Sequence, residues 1–210
     1  MKITSVFSPL AVVLFVGTVL IWLPQRAEAR IGERRDSLER RLLSSGGIVY
    51  RDETVEKNRR RGMPYTKYMD YMGDSAEVRI YFKTSDGRNP SSSELEEKRM
   101  GEGWDLHVVY VSGKSVLEVY KRSQAMSEHE KNHLLIRQGQ GSFWKRLEKA
   151  ERAELISAFG AELISDDGRI RASKMRGSGM LFVDADVDEK LAKMNESDLQ
   201  KKAPVSVEGF

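Results

Sequence analysis

From Val6 to Leu23 the chain is an apolar run, introduced by Met1-Lys2 and closed by Pro24. Nothing else in the sequence constrains its folding as strongly, because such a segment is either read by an export machinery or held in a bilayer. Just downstream, Ala27-Glu28-Ala29 places small residues at the first and third positions before a scissile bond. That spacing fits the narrow pocket of a signal peptidase, and Pro24 leaves the region after the apolar helix extended. Residues 1–29 are therefore expected to be a bacterial-type signal peptide, cut before Arg30, and the protein to be exported, either periplasmic or secreted. The alternative is an uncleaved segment: residues 6–23 approach the ~18–20 residues of a spanning helix and would then anchor the protein to a membrane. Ser8 and Pro9 inside the run and the small-residue site favour cleavage.

Removing 29 of 210 residues leaves one domain's worth of chain, long enough to bury a core. It contains no cysteine, which excludes disulfides, thiolate metal sites, a catalytic thiol and a lipidated N-terminus. In an oxidising compartment this chain must hold together by packing alone. Charged residues make up 32% of it, yet the net charge is only +3, so opposite charges interleave. The sequence pI near 9.0 resembles a nucleic-acid signal, but export removes that partner. Arg34-Arg35, Arg40-Arg41 and Arg59-Arg60-Arg61 alternate with Glu33, Asp36, Glu39, Asp52, Glu53 and Glu56. A solvated face is the simpler reading; the other is a patch for anionic polymers or lipid headgroups, weakened steeply by salt.

Hydrophobic spacing predicts an α+β domain over 30–202, with antiparallel β-hairpins packed against short helices and a polar C-terminal helix. Residues 33–45 carry Leu38, Leu42 and Leu43 on one helical face, with Gly46-Gly47 as the stop. Ile48–Tyr50 is a candidate strand. Residues 51–75 have no clear period, and the Tyr65, Tyr68, Met69, Tyr71, Met72 cluster reads as satellite core. Residues 76–84 alternate cleanly as a strand. Glu94–Lys98 could add a helical turn. Two further strands, Trp104–Val111 and Ser115–Lys121, flank Ser112-Gly113-Lys114 as a hairpin. Ser127 followed by Glu130 is a capping box for a helix reaching Gln138, with Gly139 as its stop. Residues 145–159 have helical composition, 161–175 read as a second hairpin about Ser165-Asp166-Asp167-Gly168, Met180–Val183 as a last strand and 187–202 as a polar helix. The tail 203–210 is expected to be loose. No internal repeat is visible.

One motif carries chemistry. His129-Glu130-Lys131-Asn132-His133 spells H-E-x-x-H, which on a helix lets two histidines share a zinc ion while the glutamate acts as base on bound water. Its context points elsewhere: the two intervening residues of a packed zinc helix are normally uncharged, whereas here they are Lys131 and Asn132 with Glu128 before the motif. Glu130 already has a capping role, and no third ligand is signalled. No catalytic, cofactor-binding or metal residue is assigned, and no cofactor is expected. Trp104 and Trp144 are explained by packing, with Trp104 a possible groove wall.

The order of landmarks resembles that of a group of small exported bacterial proteins of unknown function. The resemblance is carried by Ala27-Glu28-Ala29 followed by Arg30-Ile31-Gly32-Glu33, the Trp104 strand, and Gly113-Lys114-Ser115-Val116 with Tyr120. It continues through Ser127-Glu128 leading to Leu134-Leu135, Gly141-Ser142-x-Trp144, and Asp167-Gly168. In that group threonine usually follows the Gly-Glu pair, where this chain has Arg34. The resemblance implies no activity and no required histidines. Together these observations lead to an expected non-enzymatic binding or envelope-associated domain, its partner an unknown envelope protein or polymer, reached through faces near Tyr65–Met72 or Trp104. The alternative is a zinc-dependent hydrolase using His129 and His133 as ligands and Glu130 as base.

Overall fold

The computed structural model describes residues 30–91, 103–176 and 178–202. The expected signal peptide, the possible turn at 94–98 and the tail 203–210 lie outside them. Local chemistry sets the first elements. α1 (Arg35–Ser44) opens on Arg34, which offers no capping oxygen, and closes on a Schellman turn. There Gly47 N–H donates to the Leu42 carbonyl at 2.8 Å while Gly46 takes φ +84°, a left-handed conformation that glycine adopts at no steric cost. β1 is Ile48–Val49. The aperiodic stretch resolves into α2 (Glu53–Arg60), a 3₁₀ turn (Pro64–Tyr68) and α3 (Met69–Met72). α2 is capped by the Asp52 carboxylate on the Thr54 and Val55 N–H groups and buries only Val55.

β2 (Ala76–Thr84), β3 (Gly103–Val111) and β4 (Lys114–Arg122) follow as expected. A bulge between Val109 and Tyr110 leaves Val116 without a cross-strand partner. α4 (Glu128–Gly139) carries the expected capping box. The reading of 145–159 as a helix is corrected. Residues 144–146 form the edge strand β5, and only α5 (Lys149–Glu154) is helical. α5 buries none of its residues, so no hydrophobic stripe marked its limits. β6 (Leu163–Ser165), β7 (Ile170–Met175), β8 (Gly179–Asp184) and α6 (Ala185–Lys201) complete the chain. Gly139 is also corrected: it lies inside α4, and the left-handed residue is Gln140. A Cβ at Gly139 would meet the Trp144 Nε1 at 2.8 Å. The glycine makes room for the indole, whose N–H donates to the Leu135 carbonyl at 2.7 Å.

The expected hairpins merge into one eight-stranded antiparallel sheet of order β1-β2-β3-β4-β8-β7-β6-β5. Helix–strand–helix and then three strands is the order from α4 to β8, and the order from α1 to β4 is the same except that a 3₁₀ turn and the short α3 are added before β2. The last strands of the two halves pair at the centre. One face buries Val78, Ile80, Val109, Leu117, Val119, Leu181 and Val183 against Val55, Met63, Tyr65 and Val187. Across the other face, Tyr81, Leu106, Val108 and Tyr110 receive Leu38 and Leu42 of α1, and Met180 and Phe182 receive Leu134 and Leu135 of α4. Burying each such side chain contributes about 1.5–3 kcal/mol. Helices thus cover both faces, with the opening helices of the two halves, α1 and α4, side by side on one. A buried ion pair, Arg171 to Asp188 at 2.8 Å, fixes α6, and the other Asp188 oxygen accepts from the Ala158 and Phe159 N–H groups. Among the described residues no helix is long and apolar enough to cross a membrane.

Candidate functional site

Between α1 and α4 the sheet is left partly uncovered, forming a cleft of about 530 Å³. Its floor is Trp104 and Leu106 of β3, Tyr120 of β4 and Tyr81 of β2, with Leu42 and Leu134 as apolar walls. Five residues of α4 line it at helical spacing: His129, Glu130, His133, Leu134 and Arg137. Register explains the mouth. Lys83, Trp104 and Arg122 are direct cross-strand partners on β2, β3 and β4, so their side chains share one face in a row. The Arg122 guanidinium sits 5.6 Å from the centre of the Trp104 ring. Trp104 is therefore half-buried core on one side and cleft wall on the other.

The histidine motif lies on the rim of this cleft, with its groups already committed. Glu130 accepts from the Ser127 N–H at 2.8 Å as the capping box requires, and pairs with Arg122 at 2.7 Å. The Ser127 hydroxyl and the Arg122 charge hold its carboxyl below the usual range against the effect of burial. Arg137 Nε donates to His133 Nε2 at 2.7 Å, using a lone pair a metal would need. Among the described residues, no group of three or more His, Asp or Glu side chains is placed to hold a metal ion.

Behind the Tyr120 wall lies a buried polar network. Glu118 is fully buried, and its Oε2 accepts from the Tyr120 hydroxyl at 2.8 Å and from Gln138 Nε2 at 2.6 Å. Gln138 Oε1 in turn accepts from the Ile31 N–H, tying the start of the described chain to α4. Glu33 pairs with Arg41 at 3.0 Å. Glu118 Oε1, Glu33 Oε1 and Arg41 Nε are buried without a protein partner. Burial pushes the Glu118 carboxyl upward, and Glu33 adds to this while Arg41 opposes it. On the opposite face the His107 imidazole, also buried, shares a hydrogen bond of 2.8 Å with the Tyr65 hydroxyl. Burial lowers its pKa to about 3, helped by Lys121, Arg59 and Arg60. A second hollow of about 580 Å³ on that face is edged by turn residues such as Gly62, Pro64 and Ser178.

Several residues expected at a surface sit elsewhere. Tyr65 and Tyr68 are buried, as the satellite-core reading has it, while Met69, Tyr71 and Met72 are half-buried and Thr66, Lys67 and Asp70 are exposed. The early arginines are largely paired: Arg35 with Glu39 and Glu77, Arg41 with Glu33, Arg59 with Asp105 and Arg60 with Glu56. Sequence reasoning missed Arg41, Lys83, Tyr120 and Arg137 as cleft residues. One signal was available for part of the set, since His129, His133 and Arg137 recur every fourth residue on one helical face. No protein-family model, curated protein or solved structure matches the chain.

Proposed function

We propose that this chain is an exported, non-enzymatic binding domain that works through the cleft between α1 and α4. The observation that carries the proposal is the cleft itself, with an aromatic and aliphatic floor and a rim of polar groups converging from two helices and three strands. A concave, mainly apolar site of a few hundred Å³ with a few directed polar groups is what small-ligand recognition requires. The binding reading is also supported by the prior commitments of Glu130 and His133, which leave the histidine motif without a free base or an open pair of ligands. Export rests on the signal features of residues 1–29 and on the landmarks shared with small exported bacterial proteins. Residue 30 onward is tied into the fold, with the Ser115 hydroxyl donating to the Arg30 carbonyl and the Gly32 N–H to the Ser115 carbonyl. A free domain after cleavage fits that arrangement; a domain held by residues 6–23 at a membrane is the alternative.

The rival reading, a zinc-dependent hydrolase, is kept because His129 and His133 both line the cleft. Metal analysis separates the two. The purified protein is equilibrated with trace zinc and dialysed, and bound metal is measured in the parent and in His133→Ala. The binding reading expects no stoichiometric zinc in either. One zinc per chain in the parent, lost in the variant, would overturn it.

A further inference from the structure

Charge bookkeeping around the cleft narrows what it can hold. Five charged side chains line it: Arg41, Lys83, Asp86, Glu130 and Arg137. Both carboxylates are neutralised by arginines outside the lining, Asp86 by Arg88 at 3.0 Å and Glu130 by Arg122 at 2.7 Å. Arg41 is matched by Glu33 behind the wall. Lys83 has no ion-pair or hydrogen-bond partner among the described residues, and Arg137 donates to an imidazole nitrogen of His133 and not to a carboxylate. Two full positive charges therefore face the cleft without a carboxylate partner among the described residues, one on the strand side and one on the helix side.

Between them lies the apolar floor. Lys83 is the direct cross-strand neighbour of Trp104, and Arg137 rises from α4 two turns beyond His129. A flat apolar group on the floor would have a cation at hand at either wall. At about 530 Å³ the space suits a small molecule and not a folded partner.

We propose that the cleft binds a small anionic ligand with a planar apolar body: an aromatic or cyclic carboxylate, sulfonate or phosphate ester. The ring stacks against Trp104 and Leu106, and the acid group is held by Lys83 and Arg137. This rests on the cleft being the binding site. Arginine and lysine at an apolar wall discriminate through charge, since an uncharged analogue of the same shape gains only the floor contacts.

The test is a fluorescence titration of the purified protein with anilinonaphthalene sulfonate and with N-phenylnaphthylamine, its uncharged analogue. The inference expects one sulfonate per chain, bound at least about tenfold more tightly than the neutral probe. The Lys83→Ala/Arg137→Ala double variant should remove about that factor for the sulfonate only. Lys190→Ala, which changes an exposed lysine on α6, should leave both affinities unchanged. Equal binding of the two probes, or an equal loss in Lys190→Ala, would overturn the anion preference while leaving the cleft as a binding site. Failure of both probes to bind would sink the cleft reading along with it.

Discussion

Glu118 and His107 are both buried titratable groups, and their effects on stability run in opposite directions with pH. The folded-state pKa of Glu118 is raised, chiefly by burial. Its contribution is full below the ordinary carboxylate range near 4.5 and is lost as pH rises toward the elevated value. For His107 the folded-state pKa falls from 6.5 to about 3. Its contribution is present above 6.5 and disappears as pH drops through that window, at ~1.4 kcal/mol for each unit of difference. Glu118→Gln keeps an acceptor for Tyr120 and Gln138 while removing the charge. Its stability relative to the parent should therefore increase as pH rises above about 4.5. His107→Leu should flatten the loss between pH 6.5 and 3, at a cost of about 1–3 kcal/mol at neutral pH for the orphaned Tyr65 hydroxyl. Urea unfolding across this pH range checks both. Parallel curves for parent and variants would contradict the burial argument. Neither behaviour was legible beforehand: Glu118 occupies an ordinary alternating position of β4, and only the helices packed over it turn that position into a desolvated one.

At the scale of elements, the parts whose hydrophobic period is enforced by a sheet or a helix interface were legible, and the others were not. β2 alternates because Val78, Ile80 and Phe82 meet core while Tyr81 meets α1 on the reverse face. The capping box of α4 could be read because Ser127 and Glu130 act locally. α2 and α5 could not, since Val55 is the one buried residue of α2 and α5 has none. The break between β5 and α5 depends on pairing with β6, a contact set by residues 163–165. Gly139 shows how an interface overrides propensity. Alanine is the better helix former by about 0.8–1.0 kcal/mol, yet a Cβ there would strike the Trp144 indole. Gly139→Ala should therefore lower the melting temperature instead of raising it, and Gly139→Ala combined with Trp144→Leu should recover part of the loss. Thermal unfolding monitored by circular dichroism measures both, and a rise in the single variant would contradict the packing argument.

For the whole molecule, the similar element order of the two halves, broken only by the added 3₁₀ turn and α3 of the first, matters more than any one motif. Two halves without visible repetition in sequence meet at β4 and β8, and this junction sets α1 and α4 on one face of a continuous sheet. The cleft exists because two helices do not cover eight strands. Its residues come from positions between 41 and 137, which explains why its parts were readable singly and its geometry was not. Trp104 was recognisable as a possible groove wall and the His129–His133 pair as an unusual spacing. Their joint placement depended on register across β2, β3 and β4. The charge pattern, mixed everywhere in sequence, resolves into paired ions over the arginine-rich start and two cations at the cleft without a carboxylate partner among the described residues.

On the proposed reading, this cleft, and not the hollow on the opposite face, is where the molecule meets its ligand. Amide hydrogen exchange with and without anilinonaphthalene sulfonate tests it directly. Slowed exchange should be confined to the lining segments, residues 41–45, 81–87, 104–106, 120 and 129–137. Protection centred on residues 62–64 and 173–181, or none anywhere, would contradict it.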